Sequence, residues 1–169
     1  KAYQAIVHTA DIAKQAQHQQ IETEHLLKAL LEQEGLATSV FNKLNVNVAQ
    51  LRDRTEEFLR RQPKISNAGG NVYLGRSLDT LLDRANEYRQ GYGDEFISVE
   101  HLLLGYVQDD RLGKTLFAEF KLNEQILKAA IDQIRGSQKV TDQNPEGKYE
   151  SLEKYGRDLT HMARDGKLD

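Results

Sequence analysis

Two acid–histidine pairs come nearest to catalytic or metal-binding chemistry in this sequence of 169 residues. Glu24 precedes His25, and Glu100 precedes His101. A zinc peptidase needs a further histidine one helical turn away, and neither pair has one at that spacing. Because the helix dipole favours a carboxylate in the first turn, we interpret both pairs as hydrogen-bonding groups at helix starts.

His18 and Glu22 could share a helical face with His25, which would gather three possible metal ligands. The corresponding residues before the second pair are Asp94 and Ser98, a poor ligand set. No nucleophile with an adjacent base is apparent in the chain. We therefore predict no catalytic residue, no cofactor and no metal in this stretch of sequence.

The end of a nucleotide-binding P-loop is matched by Gly113, Lys114 and Thr115. The motif requires an earlier glycine at the position that Gln108 occupies, and a P-loop also follows a buried strand, which a helical pattern does not supply. We predict an exposed helix start there rather than an ATP site.

Three carboxylates cluster near the second histidine: Asp94, Glu95 and Glu100. One interpretation is a solvated turn whose acids interact favourably with the helix dipole. The other is polar recognition of a peptide that is basic or rich in backbone amides. The sequence leaves both interpretations open.

The two acid–histidine pairs are copies of one another within a tandem repeat. The segment IETEHLL at 21–27 returns as ISVEHLL at 97–103, with a constant offset of 76 residues. Identical residues continue in that register at Leu36/Leu112, Phe41/Phe117, Asn47/Asn123 and Leu51/Leu127. Identities in one register mark shared core and cap positions, so the chain holds two copies of one small fold.

Each repeat carries four segments with helical spacing of apolar residues and no convincing alternation for a strand. Helices are predicted at 2–17 and 77–91, from near Thr23 and Ser98, after Gly35 and Gly113, and at 48–61 and 124–136. The hydroxyls of Thr23 and Ser98 suit helix capping, and Asn47 and Asn123 are predicted N-caps. The predicted fold class is all-α, with two tandem pseudo-twofold four-helix repeats.

Segments without helical periodicity separate and follow the repeats. The connector contains Pro63 and three glycines, which cannot continue a helix. The predicted boundaries are 1–61 for the first repeat, 62–75 for a flexible connector, 76–137 for the second repeat, 138–150 for a polar linker and 151–169 for a final segment with one amphipathic helix.

Composition argues against several classes of partner. Lys and Arg number 23 against 26 acidic residues, so a net charge of -3 gives no reason to expect nucleic acid or an anionic membrane. The absence of cysteine excludes a disulfide framework and fits a cytoplasmic protein. No apolar run approaches the length of a spanning helix. Because the sequence starts at Lys1 without a methionine, we expect a piece of a longer protein.

The segment HQQIETEHLLKALLEQEGLA at 18–37 resembles the opening of the N-terminal domain of ClpB-type AAA+ disaggregases, members of the Clp family. Residues 93–113 resemble the second repeat of that domain. The stretch KYESLEKYGRDLTHMARDGKLD at 148–169 resembles the segment that leads into the first ATPase module of Clp proteins. The resemblance therefore covers the whole chain.

This resemblance implies a mobile module above a hexameric ring, which captures unfolded or aggregated polypeptide and passes it to the ATPase pore during stress. It also implies that ATP, magnesium, the contacts of a homohexamer and a coiled-coil middle domain belong to parts of the protein outside this sequence. A DnaK-type chaperone system would act through that middle domain. No catalytic residue carries over, and we expect the isolated chain to be monomeric.

Two amphipathic repeats that pack side by side leave a groove near the junction of their first and second helices. For a groove that binds client polypeptide we predict a floor of Ala5, Ile6, Leu82, Ile97 and Val99 and a polar rim of Asp94 and Glu100. Apolar positions at helical spacing are more often interior, and that alternative stays open for each residue. The same spacing puts Tyr3 and Val7 on the apolar face of the first helix.

Three other classes of protein stand as alternatives. The N domain of a protease-linked Clp unfoldase would dock adaptors instead of clients, and a protease-docking loop downstream would identify it. A free-standing helical scaffold would have no need of the final segment. A small hydrolase would use Glu24 and His25, but would require a nucleophile.

Overall fold

The computed structural model describes residues 2–33, 35–65 and 71–136, where eight α-helices are joined by short connections. The helices are α1 Ala2–Gln15, α2 Thr23–Glu32, α3 Leu36–Lys43, α4 Val48–Arg61, α5 Arg76–Tyr92, α6 Val99–Gly105, α7 Gly113–Glu119 and α8 Glu124–Arg135. A 3₁₀ turn at Tyr106–Gln108 follows α6. The all-α prediction with four helices per repeat is confirmed. The predicted linker at 138–150 and the helix predicted within 151–169 lie outside the described residues.

The fourth helix of each repeat begins at the predicted asparagine. The side-chain oxygen of Asn47 accepts a hydrogen bond from the backbone N–H of Gln50 at 3.1 Å. That of Asn123 accepts from the N–H of Ile126 at 2.9 Å. Each oxygen satisfies one of the free N–H groups at a helix start, so local sequence fixes both boundaries.

The start of α2 differs from the prediction, because Glu22 rather than Thr23 is the N-cap residue. Thr23 is already helical, and its hydroxyl donates to the Asp109 carboxylate at 2.8 Å. Ser98 does hold the N-cap position of α6. The repeat offset explains the difference, because it aligns Ser98 with Glu22 and not with Thr23.

The second helix of each repeat lies at the centre of one shared core. Every residue of α6 is buried, and in α2 only Lys28 and Glu32 are not. The rings of Phe41 and Phe117, which are equivalent positions, meet edge to face with centroids 6.1 Å apart. This contact joins α3 to α7 across the pseudo-twofold axis, so the two repeats bury their apolar faces against each other rather than separately.

Two short strands, which the sequence does not predict, join the first repeat to the connector, and their residues Ile21 and Leu74 belong to the core. Gln20–Ile21 (β1) pairs in parallel with Tyr73–Leu74 (β2). The N–H of Tyr73 donates to the carbonyl of Gln19 at 2.9 Å, and that of Gly75 to Ile21 at 2.8 Å. A two-residue strand is too short to produce an alternating pattern, which is why periodicity missed it. Among the described residues, no helix is both long and apolar enough to cross a bilayer.

Candidate functional site

Both histidines of the acid–histidine pairs act at helix starts, which confirms the sequence interpretation. Nδ1 of His25 accepts the backbone N–H of Glu22 at 2.8 Å, and Nδ1 of His101 accepts that of Ser98 at 2.8 Å. A ring nitrogen that accepts an N–H carries no proton. In the neutral ring the proton is therefore on Nε2, and each histidine is a fixed donor at that atom.

The two Nε2 donors meet different partners. In the second repeat Nε2 of His101 is 2.8 Å from a carboxylate oxygen of Asp94. In the first repeat Nε2 of His25 is 2.9 Å from Nδ1 of His18. His18 and Asp94 occupy equivalent positions, so the same donor is paired with a second imidazole in one repeat and with a carboxylate in the other.

The acids of the first repeat are bound by residues of the second. Both oxygens of Glu24 accept hydrogen bonds from Arg111, at 2.8 and 2.9 Å. Glu22 accepts from the hydroxyl of Ser77 at 2.7 Å, and the phenol of Tyr106 donates to the carbonyl of Thr23 at 2.6 Å. The start of α2 is therefore a polar junction between the repeats.

The acids of the second repeat are bound within that repeat. Arg135 contacts both oxygens of Asp94 at 2.7 and 2.9 Å and lies 3.5 Å from Glu100. Its guanidinium also lies over the ring of Tyr92, 4.6 Å from the centroid. Because α8 and α6 belong to one repeat, this cluster stabilises the repeat itself rather than the junction.

Burial governs the protonation of all three core histidines, since removing water disfavours the charged ring. It lowers the pKa of His25 to about 3, with a further contribution from the neighbouring His18 ring. Burial also lowers the pKa of His18. The pKa of His101 is lowered by burial too, although the carboxylates of Glu100 and Asp94 oppose the shift. All three rings are neutral near pH 7.

Asp94, Glu100 and His101 bring three possible ligand atoms within 4.8 Å of one another. The geometry does not suit a metal ion, because Nδ1 of His101 is occupied by the Ser98 N–H and Nε2 carries the remaining proton. Both carboxylates are also paired with Arg135. The arrangement performs charge pairing and hydrogen bonding.

Gly113 begins a helix as predicted, but it is buried rather than exposed. A Cβ atom there would lie 2.2 Å from the carbonyl oxygen of Tyr106. The glycine of the P-loop-like triplet thus serves close backbone packing. Lys114 and Thr115 are the exposed residues of the triplet.

The predicted groove residues are all buried, with 0 to 7% of their surface exposed: Ala5, Ile6, Leu82, Asp94, Ile97, Val99 and Glu100. Asp94 and Glu100 are brought together by Arg135, as described above. Ala5 also lines an open cleft. The structure therefore shows closely packed side chains at most positions where the sequence predicts a groove.

The cleft beside Ala5 lies between α1 and α2 and has a volume of about 440 Å³. Tyr3, Val7, His8 and Ala29 also line it. Val7 is 40% exposed, although helical spacing predicts an interior position. Ile6 faces the core, whereas Val7 lies on the wall of the cleft.

Sequence reasoning also missed Arg111 and Arg135. Arg111 is 87 residues from Glu24, and Arg135 is 41 residues from Asp94. No rule based on helical spacing connects positions so far apart. A weaker signal was present, because buried acids in both copies of a repeat require buried or half-buried cations as partners.

Residues 1–120 match the family described as the Clp repeat N-terminal domain. Over 169 residues the chain is 66% identical to chaperone protein ClpB 1 of Thermosynechococcus vestitus, which covers 100% of this chain and 19% of that protein. It is 53% identical to the chloroplastic chaperone protein ClpB2 of rice, Oryza sativa subsp. japonica, over 99% of this chain and 17% of that protein. The chain thus spans less than a fifth of the length of these relatives.

Solved structures share the fold at low identity. The Hsp104 N-terminal domain from Candida albicans superposes with a TM-score of 0.73 at 21% identity, covering 83% of this chain and 92% of that one. The N-terminal domain of the ClpV1 ATPase from E. coli gives a TM-score of 0.68 at 24% identity, covering 86% and 90%. At these identities the likeness concerns the fold alone.

Proposed function

Because the chain belongs to the Clp N-terminal repeat family, we propose that it is the protein-engaging module of a ClpB-type chaperone and binds unfolded or aggregated polypeptide. The observation that carries the proposal is the open, mainly apolar cleft between α1 and α2, with the exposed Val7 on its wall. An exposed apolar residue in a concave site of this size is typical of a surface that binds a partner.

Client binding begins, in this proposal, at the cleft and extends toward the predicted groove residues. Ala5 belongs to both sets. The other six groove residues are buried, so a client could reach them only when the helices that cover them move. The accessible part of the site is thus small, which favours short apolar segments over folded surfaces.

Such a site binds weakly. Burial of three client side chains contributes about 1.5 to 3 kcal/mol each, and association and chain ordering cost several kcal/mol. With a cost of about 4 kcal/mol, the low end of the range, the net is about -0.5 to -5 kcal/mol, which corresponds to a Kd of about 0.2 mM or weaker. Weak binding suits a module that must release its client, and several copies on one ring would add avidity.

The whole protein, in the same proposal, is an AAA+ ATPase that assembles as a homohexamer and uses ATP and magnesium to separate aggregated polypeptide. Supporting this is the 66% identity to a chaperone protein over the full chain. A DnaK-type system and a coiled-coil middle domain belong to the proposal only through the family resemblance. The described residues contribute client binding and no step of ATP hydrolysis.

The test is an NMR titration of the ¹⁵N-labelled chain with a permanently unfolded protein and with its folded form. We expect shifts at Tyr3, Val7 and Ala29 with the unfolded protein only. Val7→Lys should weaken binding at least tenfold without loss of folding, since the side chain is already exposed. Ile126→Lys is the matched control, because Ile126 is 37% exposed but lies on α8.

Equal weakening of binding by both lysine variants would contradict client binding at the cleft and would indicate a general effect of charge. Absence of shifts with either form of the protein would contradict direct capture. It would favour the alternative function, an adaptor-docking domain of a protease-linked Clp unfoldase.

A further inference from the structure

The start of α2 contains a chain of hydrogen bonds through two neutral imidazoles. The N–H of Glu22 donates to Nδ1 of His25, and Nε2 of His25 donates to Nδ1 of His18. The proton of His18 is therefore on its own Nε2. That atom is buried and has no hydrogen-bond partner among the residues that the structure describes.

Neither histidine can bind a second ring proton without the loss of a hydrogen bond in this chain. If His25 were charged, its Nδ1–H would face the backbone N–H of Glu22. If His18 were charged, its Nδ1–H would face the ring Nε2–H of His25. Two donors at 2.8 to 2.9 Å repel each other, so either protonation breaks one of the bonds. Rearrangement within the closed structure does not relieve the conflict, because the backbone N–H cannot change its role.

The charged groups around the pair do not compensate. Glu24 would attract a charged His18, but both of its oxygens are already engaged by Arg111. Arg111 and Lys64 repel a charge on His18, and Arg111 and Lys28 repel one on His25.

Glu22 also lines the 210 Å³ cleft next to the pair. One of the carboxylate oxygens of Glu22 accepts a hydrogen bond from the hydroxyl of Ser77. Its other oxygen lies 3.7 Å from Arg111. A closed, doubly neutral pair is therefore the stable state.

The second repeat has Asp94 at the position equivalent to His18. A charged His101 would keep its Nε2–H on the Asp94 carboxylate, although its Nδ1–H would face the backbone N–H of Ser98 at 2.8 Å, as in the first repeat. Glu100 also favours the charged ring, whereas Arg135 opposes it. The helix start of the second repeat thus excludes one proton, at His101, whereas that of the first repeat excludes two, at His18 and His25.

We propose that the His18–His25 pair is an acid-sensitive latch, whose protonation releases the start of α2 and with it the polar junction between the repeats. The released contacts include those of Glu24 with Arg111 and of Thr23 with Tyr106 and Asp109. The second repeat has one such histidine rather than two, so its helix start opens less under the same conditions.

The sign of the pH effect follows from the direction of the shifts. The folded pKa values of His18 and His25 lie below the ordinary value of 6.5. Above pH 6.5 both rings are neutral whether the latch is closed or open, so the closed state keeps its full stability. As pH falls below 6.5, protons bind the open state first and the closed state loses stability, down to the folded pKa, which for His25 is about 3. Each histidine that stays neutral when closed makes opening about 20-fold easier at pH 5 than at pH 7.

The first experiment compares two equivalent amides by hydrogen exchange, after correction for intrinsic rates. On going from pH 7 to pH 5, protection of the Glu22 amide should fall about 20-fold more than that of the Ser98 amide. Equal losses at both amides, or a larger loss at Ser98, would overturn the proposal. Long-range ¹H–¹⁵N spectra should show both imidazoles of the pair with the proton on Nε2, and a proton on Nδ1 of either ring would also overturn it.

The second experiment copies the second repeat into the first. In His18→Asp, a carboxylate accepts from His25 as Asp94 does from His101, and in His18→Asn a neutral amide oxygen does so. Either variant should reduce the ratio of unfolding constants between pH 5 and pH 7 by about 20-fold.

His8→Gln is the control, because His8 is an exposed histidine that lies 3.4 Å from Glu32, and should leave the ratio unchanged. Wild-type acid sensitivity in both His18 variants, or an equal change in His8→Gln, would overturn the latch.

Discussion

The first and second repeats use the same buried acid in opposite ways. Glu24 is bound by Arg111 from the other repeat, whereas Glu100 is bound by Arg135 from its own repeat. The apolar positions around them are largely identical, as at Leu26/Leu102 and Leu27/Leu103. The buried acid is thus kept in both copies, whereas the arginine that binds it comes from a different place in each. Duplication supplied the fold, and the placement of two arginines decided which helix start became an interface.

The largest expected effect lies in the second repeat. Arg135→Met should destabilise the domain by about 3 kcal/mol, because Asp94 and Glu100 would keep buried charges without their cation. Urea denaturation measures the loss. Recovery in the double variant Arg135→Met, Glu100→Gln would confirm that the unpaired charge is the cause. A cost below about 1 kcal/mol would contradict the comparison.

The next largest loss of stability is expected for Gly113→Ala, which introduces the residue that the first repeat has at the equivalent position, Ala37. The added Cβ would meet the Tyr106 carbonyl at 2.2 Å, so we expect a loss of about 2 kcal/mol by overpacking. The matched control is Gly91→Ala in α5, where a Cβ meets nothing within 4 Å. Helix propensity predicts a gain of up to about 1 kcal/mol there. Changes of the same sign in thermal denaturation would refute the packing explanation.

Arg111→Met should cost about 2 kcal/mol, less than the loss at Arg135, because its side chain is 32% exposed and water screens the remaining charge. The two losses should also differ in place. We expect Arg111→Met to speed amide exchange at the start of α2 and Arg135→Met to speed it around α6 and α8. Identical exchange patterns would mean that the two clusters form one cooperative unit.

The smallest effect concerns a turn where the repeats differ only in backbone freedom. Gln17 has φ 62 and its equivalent Gly93 has φ 72, a left-handed conformation that glycine adopts without steric cost. Gln17→Gly should therefore stabilise the domain by up to about 1 kcal/mol, and Gly93→Gln should destabilise it by a similar amount. Thermal denaturation of both variants measures the two changes in stability. A loss of stability in Gln17→Gly would show that the Gln17 side chain has a role of its own.

Local rules were sufficient for the helices but not for the charges. Asn47 and Asn123 mark their helix starts in the sequence because a cap acts within one turn. The repeat register likewise gave the eight-helix architecture. By contrast, Val7 is exposed although it shares the spacing of buried residues, because the neighbouring helices decide which part of an apolar face is covered.

The pairing of Glu24 with Arg111 depends on how the repeats dock, which no local pattern contains. The groove residues illustrate the same limit. Spacing places Leu82 and Ile97 on apolar faces, but only packing determines that both are covered.

The parallel pairing of β1 with β2 also has a practical consequence for labelling the protein. The N–H of Ile65 bonds to the carbonyl of Gln17, and the N–H of Tyr73 to that of Gln19. Both ends of the predicted connector are therefore fastened to one short stretch of chain, at two positions separated by one residue. A fluorescent peptide inserted between residues 65 and 71 would leave both hydrogen bonds in place, because neither Ile65 nor Tyr73 is changed. Because Ile65 lines the cleft beside His18 and His25, the label would respond to opening of that helix start.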